Sequence, residues 1–188
     1  MELKLWLKDR EEQIARRWRA GIRAREGRRE GDGDGFLGLF LDSLISFLPP
    51  CLGDQRDAGE EVWQQATHLY GSLALHRGLA AGEVVEELQL VRGVILRLLL
   101  EAPPEDWENR GFQRDLLALN NVLDVGVVQA SVAYIDDLFF AHLQGSGVPE
   151  GVASEVEEEM GRQLEAFRRE LRELRPAELS QGRSNGQG

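Results

Sequence analysis

The feature that most constrains this chain is the spacing of its apolar residues, which recur at every third or fourth position along most of its 188 residues. No segment of the sequence alternates with period two for long, and the β-branched residues are not clustered between turn signals as strands require. The spacing therefore predicts an all-α fold. We expect a globin-like or helical-bundle domain of about five helices, followed by one short coiled-coil helix.

Proline and glycine residues divide this pattern into separate predicted helices. Pro49-Pro50 and Pro103-Pro104 cannot continue a helix, and Gly78 suits a helix end. The predicted helices cover residues 3–26, 36–48, 60–77, 82–101, 112–143 and 152–175. We divide the chain into a helical sensor or interaction domain at 1–147, a dimerising signalling helix at 148–175 and a disordered tail at 176–188.

The last predicted helix carries apolar residues at near-heptad spacing, with Glu and Arg between them. Such a row is typical of a coiled-coil seam that a second helix covers. The pattern predicts a homodimer, and Gly145, Ser146 and Gly147 are interpreted as a hinge before this helix. The residues expected at the dimer interface are Val156, Met160, Leu164, Phe167, Leu171 and Leu174.

Charge is unevenly distributed along the chain, whose net charge is −11. Residues 1–30 hold ten Lys and Arg against six Asp and Glu, whereas residues 31–151 hold six against nineteen. An acidic body repels phosphates, so we expect no nucleic-acid partner. The apolar stretches at 36–48 and 94–100 are shorter than the ~20 residues of a membrane span, and the charged N-terminus does not resemble a signal peptide. We therefore expect a cytoplasmic protein without a membrane segment.

Few residues have the types and spacings that catalysis or metal binding needs. Cys51 has no partner thiol, and the three histidines His68, His76 and His142 do not sit with Cys or carboxylates at metal-ligand spacings. The sequence has no nucleophile elbow, phosphate-binding loop or dinucleotide motif. We expect a protein that is not an enzyme and holds no metal or cofactor. One alternative stays open, since His68 or His76 could be the axial ligand of a haem-binding globin-type sensor.

Two charged residues fall beside the apolar rows of neighbouring predicted helices. Arg92 lies within the fourth predicted helix, and Asp124 lies in the fifth, four positions after Asn120. We predict that Arg92 and Asp124 form a cross-helix ion pair that the fold needs. If this pair is buried, removing one partner should cost about 3–5 kcal/mol.

Residues 76–96 and 119–134 resemble a known family of bacterial sensory domains. They read HRGL at 76–79, GEVVEELQLVRGVIL at 82–96 and LNNVLD at 119–124, followed by Ala130 and Tyr134. This pattern is similar to the N-terminal domain of the RsbRD-type RsbT co-antagonist proteins of the stressosome, which also heads some bacterial histidine kinases. Leu88 stands where the family usually has an aromatic residue, and Val91 where it has Leu. The matching positions are Glu87, Arg92, Asp124 and Tyr134.

The resemblance implies an all-helical domain of globin-like type that has no haem and serves as a dimeric sensory or interaction module. In the family an output domain follows, either an anti-sigma-factor antagonist or a kinase core, and we expect that a separate chain supplies it here. The expected partners are thus a second copy of the chain and an effector protein of one of these two kinds. The expected function is non-catalytic signal transduction in stress or environmental sensing.

Overall fold

The structure, a computed structural model, describes residues 2–26, 35–105, 107–145 and 152–173. Over these ranges the chain is helical and has no strand, which confirms the predicted all-α class. Each helix has an apolar face, and burial of these faces against one another builds the core. The helices are α1 (Leu3–Lys8), α2 (Glu11–Glu26), α3 (Gly35–Phe47), α4 (Arg56–His76), α5 (Ala81–Glu101), α6 (Arg110–Leu143) and α7 (Ser154–Glu173), with a 3₁₀ turn at Pro49–Leu52.

The core is built around a central pair of helices, α4 and α6, with α5 packed beside α6 and with α2 between α3 and α5. Its largest buried side chains are aromatic, among them Trp18, Phe40, Trp63 and Tyr70. The ring of Tyr70 lies 6.2 Å from that of Trp18 and 5.7 Å from that of Phe40. A buried indole N–H needs an acceptor, and Trp18 Nε1 donates to the backbone oxygen of Glu87 at 2.7 Å. This bond ties α2 to α5.

The first predicted helix, residues 3–26, is two helices in the structure. The chain turns between α1 and α2, where the backbone N–H of Arg10 donates to the oxygen of Leu7 at 3.0 Å. α1 packs on the turn Pro49–Leu52, and Trp6 Nε1 donates to the oxygen of Ala102 at 3.4 Å. The turn between α1 and α2 therefore allows the short α1 to cover one end of the core.

α7 packs against α3 and α4 of its own chain. Met160 and Leu164 are buried, and Val156, Phe167 and Leu171 are half-buried against the same core. The expectation that these five residues form a dimer interface is therefore wrong. An amphipathic helix that docks on its own bundle has the same three-and-four spacing as a coiled-coil seam, so the spacing alone does not distinguish them.

The expected boundary at residue 147 does not separate α7 from the bundle, because α7 shares the core of α3 and α4. A polar contact adds to this packing, since Arg168 Nη2 donates to Ser43 Oγ at 2.7 Å. Of the expected hinge, Gly145 is described and has a left-handed φ of 66°. Ser146, Gly147, Leu174 and the expected tail at 176–188 lie outside the described residues.

Within the described residues, two segments are long and apolar enough to cross a membrane by length and composition alone, Gly35–Leu52 and Arg110–Leu143. Of their most apolar windows, 56% of the first and 33% of the second is buried inside the fold. The second segment is not one of the two apolar stretches, 36–48 and 94–100, that were compared with a membrane span from the sequence; its mean hydropathy is 1.5. A core helix of a soluble protein passes the same test, so the cytoplasmic location stays a prediction.

Candidate interaction surface

Close packing against α4 determines which face of α6 points outwards. A Cβ atom at Gly71 would lie 2.1 Å from the oxygen of Ala130, and one at Gly126 would lie 2.7 Å from Trp63 Nε1. Trp63 Nε1 also donates to the oxygen of Val122 at 2.7 Å. Both positions need glycine because no side chain fits between the two helices. α6 is thereby held on α4 by one face.

The opposite face of α6 carries a row of apolar side chains that are exposed to solvent, which we call the α6 stripe. Their exposed fractions range from 38% at Val125 to 68% at Leu117. They follow one another at spacings of 8, 3, 4, 3, 4 and 4, which are whole numbers of helical turns to within part of a residue, so they share one face of the helix. The stripe consists of Leu117, Val125, Val128, Val132, Ile135, Phe139 and Leu143.

Further apolar side chains extend the exposed surface around the stripe. Leu138 and Phe140 are 37% and 57% exposed, so the last turns of α6 project from the bundle. Leu96 and Leu100 of the neighbouring α5 are 36% and 73% exposed. Together with the stripe they leave roughly 1,000 Å² of apolar surface in water, whereas soluble monomers rarely expose contiguous patches above a few hundred Å².

The predicted ion pair between Arg92 and Asp124 lies at the border of the stripe. Arg92 Nη2 donates to Asp124 Oδ1 and joins α5 to α6, so the contact is confirmed. The Arg92 side chain is 24% exposed, but that of Asp124 is 61% exposed. Water screens such a pair, which then contributes about 0–1 kcal/mol. The penalty expected for a buried pair does not apply here.

A buried ion pair that was not predicted from the sequence joins Arg77, the first residue after α4, to Glu87 of α5. Arg77 donates from Nη1 and Nη2 to the two carboxylate oxygens of Glu87 at 2.8 and 2.9 Å, and the two side chains are 9% and 5% exposed. The Tyr70 hydroxyl donates to the same carboxylate. Burial, followed by the charge of Glu87, raises the pKa of Tyr70 well above its usual value. The spacing of the sequence could have indicated that Glu87 is buried, because it lies three positions after Val84 and four before Val91 on the buried face of α5.

The two histidines considered as haem ligands do not lie in one site. His68 lines an open groove of about 640 Å³ between α4, α6 and α7, whereas His76 is the last residue of α4. Haem presents two broad apolar faces and needs apolar walls, and this groove does not fit it because five of its other lining residues are polar. Among the described residues no group of three or more His, Cys, Asp or Glu could hold a metal ion. The polar lining residues are Glu61, Gln64, Gln65, Gln129 and Gln163.

Cys51 is a buried thiol in the turn Pro49–Leu52. Its Sγ donates to the oxygen of Phe47 at 3.2 Å. Burial, with a smaller contribution from the charge of Glu60, raises the pKa of the Cys51 thiol to about 12. The thiol therefore stays protonated near neutral pH, and it is a packing residue rather than a nucleophile.

Arginines on α2 pair with carboxylates of α5. Arg17 Nη2 lies 2.8 Å from a carboxylate oxygen of Glu101, and Arg25 Nη1 lies 2.7 Å from one of Glu86. The basic N-terminal region is thus engaged in part with acidic residues of its own chain.

No family model, curated protein or solved structure matches this chain. The resemblance to RsbRD-type domains therefore stays a prediction. The four positions that carry it have packing roles in this fold: the Tyr134 hydroxyl donates to the oxygen of Leu79 at 2.6 Å, and Glu87 and the Arg92–Asp124 pair make the contacts described above. Each contact joins two helices or a helix and the turn after α4.

Proposed function

We propose that this protein is a non-catalytic bacterial signal-transduction module that acts by binding other proteins in the cytoplasm. It forms a homodimer and passes its state to a separate effector, such as a kinase or an anti-sigma-factor antagonist, during stress or environmental sensing. The resemblance of residues 76–96 to RsbRD-type domains supports the signalling role and a globin-like arrangement of the bundle.

The observation that carries this proposal is the α6 stripe. One face of α6 is packed so closely on α4 that glycine is required at Gly71 and Gly126, while the other face keeps apolar side chains in water. Exposed apolar surface of this size is unfavourable until another surface covers it. Protein binding is therefore the activity that the geometry supports best.

A genetic test uses two matched substitutions in the native host. Val132 and Leu39 are 44% and 45% exposed, but only Val132 lies on the α6 stripe, since Leu39 belongs to α3. The gene is deleted and replaced by the wild type, Val132→Asp or Leu39→Asp, and a stress-responsive reporter is measured. We expect the deletion and Val132→Asp to change the reporter alike, and Leu39→Asp to restore it.

Immunoblots at equal cell density control for loss of the protein itself. A deletion strain whose reporter responds to stress as the wild type does would contradict the signalling role. Equal restoration by Val132→Asp and Leu39→Asp would contradict the part assigned to the stripe.

A further inference from the structure

We infer that the α6 stripe is covered by the α6 stripe of a second copy of this chain, with the two helices antiparallel. The inference rests on the proposed function, for which it names the surface, the partner and the orientation. The dimer interface is therefore assigned to α6 and not to α7, because the apolar face of α7 is already covered by α3 and α4.

The size of the exposed surface matches what a stable dimer needs. The stripe and its apolar neighbours expose roughly 1,000 Å², and each partner in a standard protein interface buries about 800 Å². No helix among the described residues covers this face, as the exposed fractions of Val128 and Ile135, 58% and 57%, show. One further copy is enough to bury it.

The pattern of the stripe also suits pairing with itself. Val125, Val128, Val132, Ile135 and Phe139 follow one another at spacings of 3, 4, 3 and 4, which places them on one coiled-coil seam. In a two-fold symmetric dimer the same patch serves both partners, and residues near the axis meet their own copies. Val132 is the middle member of this seam and the fourth of the seven residues in the stripe, so the axis passes close to this residue.

Charge at the two ends of α6 selects the antiparallel orientation. Arg110 and Arg114 lie in the first turns of the helix, and Asp136 and Asp137 lie near its end. Arg114 is 84% exposed, and its nearest carboxylate, that of Asp115, is 3.9 Å away. Antiparallel pairing sets the basic end of one copy towards the acidic end of the other, whereas parallel pairing aligns like charges. The helix dipoles favour the same orientation.

A lipid surface is the competing occupant, because α6 is long and apolar enough to cross a membrane. Exposed carboxylates beside the stripe argue against a lipid surface. The side chain of Asp124 is 61% exposed, and Asp136 is exposed next to Ile135. Anionic headgroups repel such carboxylates, and helices that lie in the headgroup region carry Lys and Arg along the polar face. A second copy of the chain fits these charges better.

Sedimentation equilibrium of the full chain at micromolar concentrations tests the inference. We expect the wild type and Leu39→Asp at twice 21.1 kDa and Val132→Asp at 21.1 kDa. The dissociation constant of Val132→Asp should rise at least ~100-fold, because symmetric pairing buries an unpaired carboxylate from each copy. Circular dichroism checks that each variant is folded. Should Val132→Asp not fold, Ile135→Asp repeats the test at a side chain that is 57% exposed.

A wild-type mass of 21.1 kDa overturns the inference, and so does a folded Val132→Asp variant that sediments as a dimer. Monomeric wild type that floats with phosphatidylcholine–phosphatidylglycerol vesicles overturns it in favour of a lipid surface. If the wild type is monomeric and Val132→Asp still fails to restore signalling, the inference and the homodimer fail, while the signalling role and the binding of an effector through the stripe stand. If Val132→Asp dissociates the dimer and the deletion strain signals normally, the inference stands and the proposed function fails.

Discussion

Glu87 is a carboxylate on the buried face of α5, where Arg77 compensates its charge and Tyr70 donates a hydrogen bond to it. We expect Glu87→Gln to lower the free energy of unfolding by about 3–5 kcal/mol, because the Arg77 charge is then left buried without a counter-charge. Urea denaturation of the purified chain measures the loss.

The adjacent residue provides a matched control for this substitution. Glu86 is 63% exposed and pairs with Arg25 on the surface, where such pairs contribute about 0–1 kcal/mol. We therefore expect Glu86→Gln to unfold almost as the wild type does. Equal losses for the two variants would show that the Arg77–Glu87 pair is not the buried cross-link described here.

Cys51 makes the stability depend on pH in the alkaline range. Its pKa is 9.0 as a free group and about 12 in the folded chain, so the unfolded chain releases this proton first. The contribution of the protonated thiol to the free energy of unfolding is fully present below about pH 9. It is lost as the pH rises towards 12, and the total loss is on the order of 4 kcal/mol. The raised pKa of Tyr70 acts in the same direction above its own usual value.

Urea denaturation between pH 8 and pH 11 isolates the Cys51 contribution when the wild type is compared with Cys51→Ala. We expect the wild type to lose about 1.4 kcal/mol more per pH unit than the variant above pH 9, because only the wild type carries the thiol. Parallel pH profiles for the two proteins would contradict the raised pKa.

For single residues, the sequence predicted which side chains pair with each other better than it predicted how deeply they are buried. Helix faces were enough to pair Arg92 with Asp124, since both positions border apolar rows on neighbouring helices. Whether the pair is buried depends on where the contact between α5 and α6 becomes accessible to water. The spacing of residues along one helix carries no information about this accessibility. Glu87 was missed because an acidic residue near a helix start is more simply explained by the helix dipole.

At the level of the helices, α4 and α6 pack so closely that the backbone of one helix contacts the backbone of the other at Gly71. We expect Gly71→Ala to lower the free energy of unfolding by roughly 1–3 kcal/mol, because its Cβ would lie 2.1 Å from the backbone oxygen of Ala130 and that backbone cannot rotate away. Urea denaturation again provides the measurement.

Gly82→Ala is the control for the loss of glycine in a helix. A Cβ at Gly82 meets nothing within 4 Å, so we expect it to leave stability unchanged or to raise it by up to about 1 kcal/mol. A Gly71→Ala variant as stable as Gly82→Ala would mean that α4 and α6 are not packed at glycine contact distance.

The helices themselves were predictable, but their breaks and packing partners were not all predictable. Leu7 and Ile14 are seven positions apart, so the apolar period continues through the turn between α1 and α2 and conceals it. The row from Val156 to Leu171 on α7 showed correctly that one face is covered. It did not show whether the cover is a second chain or α3 and α4, because both leave the same spacing.

For the chain as a whole, the all-α class followed from periodicity, whereas the exposed surface did not. α6 is apolar around most of its circumference, so its sequence alone cannot separate Leu119 and Leu123, which are buried, from Val128 and Val132, which are not. The tight contacts on α4 supply the missing information, because they fix one face inwards.

Oxidative cross-linking of single introduced cysteines tests most directly whether two copies of α6 face each other. Native Cys51 is buried with a raised pKa, so it stays inert while an introduced surface thiol reacts. We predict that Val132→Cys forms a disulfide-linked dimer on mild oxidation, and that Leu39→Cys and Phe139→Cys do not, because of these three only residue 132 lies near the two-fold axis of an antiparallel pair. Val132→Cys that remains monomeric on a non-reducing gel, or that cross-links no faster than Leu39→Cys, would contradict pairing through the α6 stripe.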